Sequence, residues 1–286
     1  MEKIVAIDLG GTSIKSSLFV NGEIRETRSV PTEARKGADS VMKTLIQLIE
    51  SYESADAIGI STCGSVDRKN GSIHYANENM PGYTGTEVKK IMESHFHIPC
   101  SVENDAICAA IGEKNFGESK DLTDFVMLTY GTGVGAGIYL NNAPYYGNGY
   151  NTCPFIGGIY MQNENTMYET SASTTALVRN VQKIQPDIQN AKQLFEEPQK
   201  EEVLSIIDKW CETVALGLCS IVHLYNLPAV IIGGGILEQD SIYQAIEQKF
   251  HAHLLDGFRG TRIRKASLGN KAGMYGAYCN ACSIIR

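Results

Sequence analysis

No apolar run in this 286-residue chain approaches the ~20 residues that a membrane-spanning helix needs. An excess of positive charge is also missing. Lys and Arg total 25 against 32 Asp and Glu, for a net charge of -7. A duplex nucleic-acid binder needs a basic surface to displace counterions, so that class is excluded. No low-complexity stretch marks a long linker. The G-x-x-x-x-G-K-[ST] phosphate loop is absent, which removes the Walker-type nucleotide site. A β-rich run begins within the first few residues and leaves no room for a signal peptide, so a cytoplasmic location is expected. Cysteine is present eight times, at 63, 100, 108, 153, 211, 219, 279 and 282. Only Cys279 and Cys282 form a C-x-x-C pair, on a predicted terminal helix with no second pair to complete a metal site. Reduced thiols packed as small hydrophobes are the expectation.

What the chain does contain is a pattern used twice. A β-rich run breaks at a Gly/Thr turn and resumes, first at Val5–Val20 around Gly10-Gly11-Thr12, then at Phe125–Tyr139 around Gly131-Thr132-Gly133. Registered by their turns, Ile7-Asp8 falls opposite Leu128-Thr129. A third glycine turn, Gly233-Gly234-Gly235, follows the apolar strand Val230–Ile232. Glycines let backbone N–H groups approach phosphate oxygens without interference from a Cβ. The paired hairpins therefore suggest a duplicated fold that grips one polyphosphate from both sides.

Between these runs, helical periods cover Ser40–Ser54, Thr86–Phe96, Ala106–Glu113, Ser173–Val181, Glu201–Tyr225 and Gly273–Ile285. Short strands fall at Ala57–Ser61 and Cys100–Glu103, and Asn141–Asn165 reads as irregular and polar. Alternating strands and helices indicate an α/β fold. The length favours two lobes over one core. The expected division gives a small lobe at 1–117, a large lobe at 118–272, and a final helix at 273–286 that packs back on the small lobe.

Five segments in order resemble the ROK family of sugar kinases, within the actin/hexokinase-type superfamily. They are Ile7–Thr12, Val102–Ala106, Gly131–Gly135, Pro228–Ile236 and Leu268–Gly273. The resemblance implies a two-lobed actin-like ATPase (ribonuclease H-like) fold, with a duplicated core and a cleft between lobes. It also implies an ATP- and Mg²⁺-dependent kinase that phosphorylates the 6-hydroxyl of a hexose or hexosamine. Asp105 would be the general base, since a sugar hydroxyl is a poor nucleophile until its proton is taken; capping the helix is its competing use. Asn104, Gly64, Ser65, Asn79 and Glu169 would contact the sugar. Asp8, Gly10, Gly11, Thr12, Lys15, Gly131, Thr132, Gly133, Gly233, Gly234 and Gly235 would hold the nucleotide. Asp8 would bind Mg²⁺ directly or through water. The threonines would offer hydroxyls to phosphate or cap their own turns. A homodimer is what the family suggests.

The chain departs from the family after the second hairpin. ROK proteins commonly carry Gly-Glu-x-Gly-His and then a cysteine-rich zinc motif. Here the stretch Cys153–Met161 has neither Glu nor His, and Tyr160 stands where the His would be. No structural zinc site is expected, because Cys153 alone cannot supply four N/S ligands. Glu169 would then read the C1–C2 end of the sugar, with Tyr160 or Asn151 assisting. Tyr145, Tyr146 and Tyr150 would stack on a sugar or aglycone, or pack as an aromatic lid. N-acetylmannosamine and glucose lead as substrates, with the zinc-free resemblance around Glu169–Val178 leaning to the former. A β-glucoside kinase and a catalytically weakened sugar-binding or sensor protein are the alternatives. A ROK repressor would need an N-terminal DNA reader ahead of the first hairpin.

Overall fold

The computed structural model describes residues 2–147, 154–161, 166–196 and 198–285. The chain divides into two units, one of Met1–Lys120, Pro144–Pro154 and Lys271–Arg286, the other of Asp121–Ala143 and Phe155–Asn270.

The first unit is built on β1 (Lys3–Leu9), β2 (Ser13–Val20), β3 (Glu23–Pro31), α1 (Ala38–Glu50), β4 (Ala57–Thr62), β5 (Ser65–Asp67), β6 (Ser72–Tyr75), α2 (Val88–Phe96), β7 (Cys100–Asn104) and α3 (Asp105–Phe116). Its sheet has the order β3-β2-β1-β4-β7, with β1 antiparallel to β2 and parallel to β4. Strand β1 alternates between two cores, as a strand buried on both faces must. Val5, Ile7 and Leu9 pack with Val41, Leu45 and Leu48 of α1. Ile4 and Ala6 pack on the opposite face with Met274, Ala277, Tyr278 and Ala281. Asp8 lies on that second face, at the carboxyl end of the strand.

The second unit repeats the plan with β8 (Phe125–Tyr130), β9 (Val134–Leu140), β10 (Ala143–Pro144), β11 (Tyr160–Met161), β12 (Thr166–Met167), α4 (Tyr168–Ala172), α5 (Thr174–Gln182), α6 (Glu201–Tyr225), β13 (Ala229–Gly233), α7 (Asp240–His253) and β14 (Arg262–Lys265). Its sheet has the order β10-β9-β8-β13-β14, and β8 is antiparallel to β9 and parallel to β13. The duplication extends to side-chain exposure, because residues 11–20 and 131–140 alternate between buried and exposed in the same sequence of steps. The hairpins differ by one residue. Leu9 pairs with Ile14, whereas Tyr130 pairs with Val134.

A final helix, α8 (Ala272–Ile285), returns to the first unit. Its contact with α3 and β4 is backbone to backbone. A Cβ on Gly276 would lie 1.8 Å from the Cys108 carbonyl, and one on Gly59 would lie 2.0 Å from the Ala277 carbonyl. The stretch following β10, which chain order places in the large lobe, groups with the first unit; Tyr146 fastens it there through Arg68 and Glu103.

Candidate active site

The expected site residues fall into two sets, one in each unit. In the first unit, Asp8 and Ser61 face each other across the parallel β1–β4 pairing, and the Ser61 hydroxyl donates to Asp8 Oδ1 at 3.0 Å. Lys15 faces Asp8 across the β1–β2 pairing. Burial raises the Asp8 pKa, while the Ser61 bond and the charge of Lys15 oppose that rise. Gly273, early in α8, leaves room for both groups, since a Cβ there would sit 2.9 Å from Asp8 Oδ1 and from Ser61 Oγ. The turn between β1 and β2 is closed by a Gly10 N–H to Ser13 carbonyl bond of 3.1 Å. Thr32, buried and not foreseen, steadies it by donating its hydroxyl to the Gly10 carbonyl at 2.6 Å. Thr12 is exposed, and its hydroxyl makes no bond among the described residues that would cap its own turn.

The junction of β7 and α3 resolves which residue caps the helix. Asn104, not Asp105, is the N-cap: its Oδ1 accepts from the N–H groups of Ala106 at 3.0 Å and Ile107 at 3.3 Å. Its Nδ2 donates to the Gly64 carbonyl at 2.9 Å, joining the cap to the loop before β5. Gly64 has φ of +91°, and a Cβ there would meet the Tyr75 carbonyl at 2.7 Å, so both conformation and space require glycine. Ser65 begins β5, half-buried. Asn79 is exposed, with its backbone N–H held by the Asn77 side chain.

Asp105 is the first residue of the helix; its Oδ1 shares the Ala106 N–H at 2.8 Å, and its side chain remains open to solvent. Its carboxyl is nevertheless pushed up to about 6, chiefly by crowding from protein atoms that desolvate it. The Ala106 N–H opposes the shift and the nearby Asp8 charge adds to it. Cys63, in the preceding loop, is pushed up to about 11, mainly by burial and then by the Asp105 charge, and is a thiol at neutral pH.

In the second unit, the glycine turns converge. The Gly131 N–H bonds the Gly133 carbonyl at 3.0 Å, closing the hairpin between β8 and β9. Thr129 lies in register with Gly233 at the end of β13. Gly234 has φ of +123°, and a Cβ there would lie 2.2 Å from the Tyr130 carbonyl, so only glycine brings the third turn against the second. Gly235 is unobstructed. Sequence reasoning passed over Thr174 and Thr175, at the start of α5. Thr174 donates its hydroxyl to the Tyr130 carbonyl at 3.0 Å, and the Thr175 N–H bonds the Gly131 carbonyl at 3.3 Å. The Ser-Thr-Thr run ahead of an apolar helix was the available signal. Like Thr12, Thr132 is exposed and makes no hydroxyl bond among the described residues.

Glu169, on α4, reaches this same hairpin. Its Oε2 accepts from the Val134 N–H at 3.3 Å. Gly157 packs between this hairpin and Glu169. A Cβ at 157 would meet the Val134 carbonyl at 2.8 Å and Glu169 Cβ at 3.2 Å, so the close approach there requires glycine. Tyr160 is 67% exposed. Tyr145 is exposed, and Tyr146 stacks on a guanidinium instead of presenting a free ring, with Arg68 3.7 Å from its centroid. Tyr150, Asn151 and Cys153 lie outside the described residues.

Among the described residues, no group of three or more His, Cys, Asp or Glu is gathered closely enough to cage a metal. A lone carboxylate such as Asp8 nevertheless suits Mg²⁺. That ion keeps several waters and takes most remaining ligands from substrate phosphates. No helix among the described residues is long and apolar enough to cross a membrane.

Comparison with known proteins shows the family and the fold. The family described as ROK matches residues 4–282. An uncharacterized protein of Clostridium perfringens is 35% identical, covering 98% of each chain. A beta-glucoside kinase of Listeria innocua is 29% identical, covering 96% of each. Among solved structures, a ROK hexokinase from Thermus thermophilus superposes with a TM-score of 0.84 at 26% identity, covering 99% of each chain.

Proposed function

As a member of the ROK family the chain is an ATP-dependent sugar kinase with the duplicated α/β core of the actin-like ATPases, and we propose that it phosphorylates the 6-hydroxyl of a hexose or hexosamine. The observation that carries this reading is the state of Asp105. Asn104 takes the capping work, leaving the Asp105 carboxylate open to solvent and with a raised pKa. A base poised near the operating pH is what proton removal from a sugar hydroxyl requires.

In the proposed reaction, Asp105 accepts the 6-hydroxyl proton as that oxygen attacks the γ-phosphorus. The new O–P bond forms while the bond to the β–γ bridging oxygen breaks, and ADP leaves. Asn104, Gly64, Ser65 and Asn79 are the residues proposed for the sugar, and Asp8, Lys15 and the Gly10-Gly11-Thr12 turn those proposed for the phosphates. Gly131-Thr132-Gly133 and Gly233-Gly234-Gly235 are proposed for the nucleotide, and Glu169 for the C1–C2 end of the sugar. Magnesium, held by Asp8 directly or through water, would neutralise phosphate charge.

N-acetylmannosamine and glucose are the leading acceptors, because Glu169 is left as the carboxylate for the C1–C2 end. A second reading, a β-glucoside, is favoured by Phe155, Ile159 and Tyr160, which are 58%, 44% and 67% exposed near Glu169 in sequence and suit an apolar aglycone. A cytoplasmic homodimer completes the proposal, with light scattering as the check on its assembly.

The deciding experiment is a coupled ADP-release assay over hexoses, hexosamines and aryl β-glucosides, with Asp105→Asn in parallel. Turnover of one class that the variant loses by ~10²–10⁴-fold supports the reading. Full activity in the variant removes Asp105 as base. Sugar binding without turnover moves the chain to the weakened sensor class.

A further inference from the structure

Glu103 is almost fully buried, yet its carboxylate is ringed by donors that the proposed reaction does not use. Oε1 accepts from the Asn104 N–H at 2.9 Å. Oε2 accepts from Arg68 Nε at 2.6 Å and from the Tyr146 hydroxyl at 3.0 Å. The Arg68 guanidinium sits over the Tyr146 ring, its carbon 3.7 Å from the centroid. These three residues come from β7, the turn after β5, and the stretch following β10, so folding alone brings them together.

We propose that Arg68 and Tyr146, acting through Glu103, are positioning residues for the base segment Asn104–Asp105. Burial favours the neutral form of Glu103, and the Arg68 charge is the largest influence opposing it. The ionised carboxylate accepts from all three donors and also pairs with the Arg68 charge. In that state it fixes the Asn104 N–H from behind, while the Asn104 side chain is fixed in front by the Gly64 carbonyl and the first turn of α3. Asp105 follows directly on this doubly held residue. The stacked ring orients the guanidinium, which a flexible ammonium would not reproduce.

The inference rests on Asp105 being the base, and the test separates the two. Steady-state kinetics would be measured on the full chain for Arg68→Gln, Arg68→Lys, Tyr146→Phe and the Arg68→Gln/Tyr146→Phe pair, beside Asp105→Asn. Small misplacements of a reacting group cost up to ~10²-fold. Arg68→Gln should lower kcat by roughly ten- to a hundred-fold, with little change in the KM of sugar or ATP. Arg68→Lys should recover part of that loss. Tyr146→Phe should lose several-fold, and the pair should lose less than the product of its members, because both act through one carboxylate. Unchanged kcat in both single variants, beside an inactive Asp105→Asn, overturns the positioning role alone. Full activity in Asp105→Asn overturns the base assignment and this inference with it. A loss confined to sugar KM makes Arg68 a direct sugar contact and also overturns the proposal. If Arg68→Gln fails to fold, Tyr146→Phe, which removes one oxygen, still decides.

Discussion

Ser61 donates a hydrogen bond to Asp8 Oδ1 at 3.0 Å, and the absent side chain of Gly273 is what leaves the pair undisturbed. A methyl at 273 would press on both oxygens at 2.9 Å. Overpacking of this kind costs about 1–3 kcal/mol. Gly273→Ala should therefore raise the Mg²⁺ concentration needed for half-maximal activity, checked by Mg²⁺ titration alongside a thermal melt. Ser61→Ala tests the same pair differently. The Ser61 bond lowers the Asp8 pKa against burial. Without it the carboxyl holds its proton to higher pH, so activity should suffer more at pH 6 than at pH 8.

The raised pKa of Asp105 fixes the sign of the acid limb. A base works only when deprotonated, and this group is pushed up to about 6. The rate should fall as pH drops through that region, with a slope of one proton, and level off above it. A pH–rate profile of kcat/KM for the sugar is the measurement. A limb centred near 4 would place the working carboxylate in ordinary solvent.

Glu169 should act on the sugar and leave the nucleotide alone. Glu169→Gln keeps an acceptor for the Val134 N–H but discards the charge. The expected result is a rise in sugar KM of roughly tenfold, by loss of a charged hydrogen bond, with ATP KM within twofold. Equal rises in both constants would mean that the hairpin between β8 and β9 had moved instead.

The glycines between α3, β4 and α8 should be among the least replaceable in the chain. Gly276→Ala would drive a methyl to 1.8 Å from a backbone carbonyl, which cannot swing aside as a side chain would. The helices must separate, at a cost of about 3 kcal/mol. Differential scanning calorimetry should show a fall in Tm of roughly 5–10 °C. Gly257→Ala, where a Cβ meets nothing within 4 Å, is the control and should melt unchanged.

Legibility in the sequence followed the range of the interactions. Strand and helix periods are local, and α6 runs from Glu201 to Tyr225, the limits its apolar period implies. The hairpin register was also readable, because Asp8 and Thr129 each stand one residue before the end of a strand. Helix α7 is a miss despite a clear signal, with buried Ile242, Ile246 and Phe250 spaced by four. The short β5–β6 pair has too few residues to show alternation. What no pattern could reveal was partnership across long separations. Tyr146 reads locally as one of several tyrosines in a polar stretch, and only the fold gives it Arg68 and Glu103. Capping was legible only as a competing use of Asp105, and geometry gave it to Asn104 instead.

Helix α8 has a consequence for how the protein is made. The first unit's sheet is complete by Asn104, but Ile4, Ala6 and Phe19 find their cover in residues from Met274 onward. On a ribosome adding ~5–20 residues per second, the chain between Lys120 and Lys271 takes on the order of ten seconds to emerge. Throughout that interval this face of the nascent sheet has α3 but lacks the cover that α8 supplies. The order of synthesis thus makes the unit that carries Asp105 begin before the other unit and finish after it, a window in which a chaperone could influence the yield of folded protein.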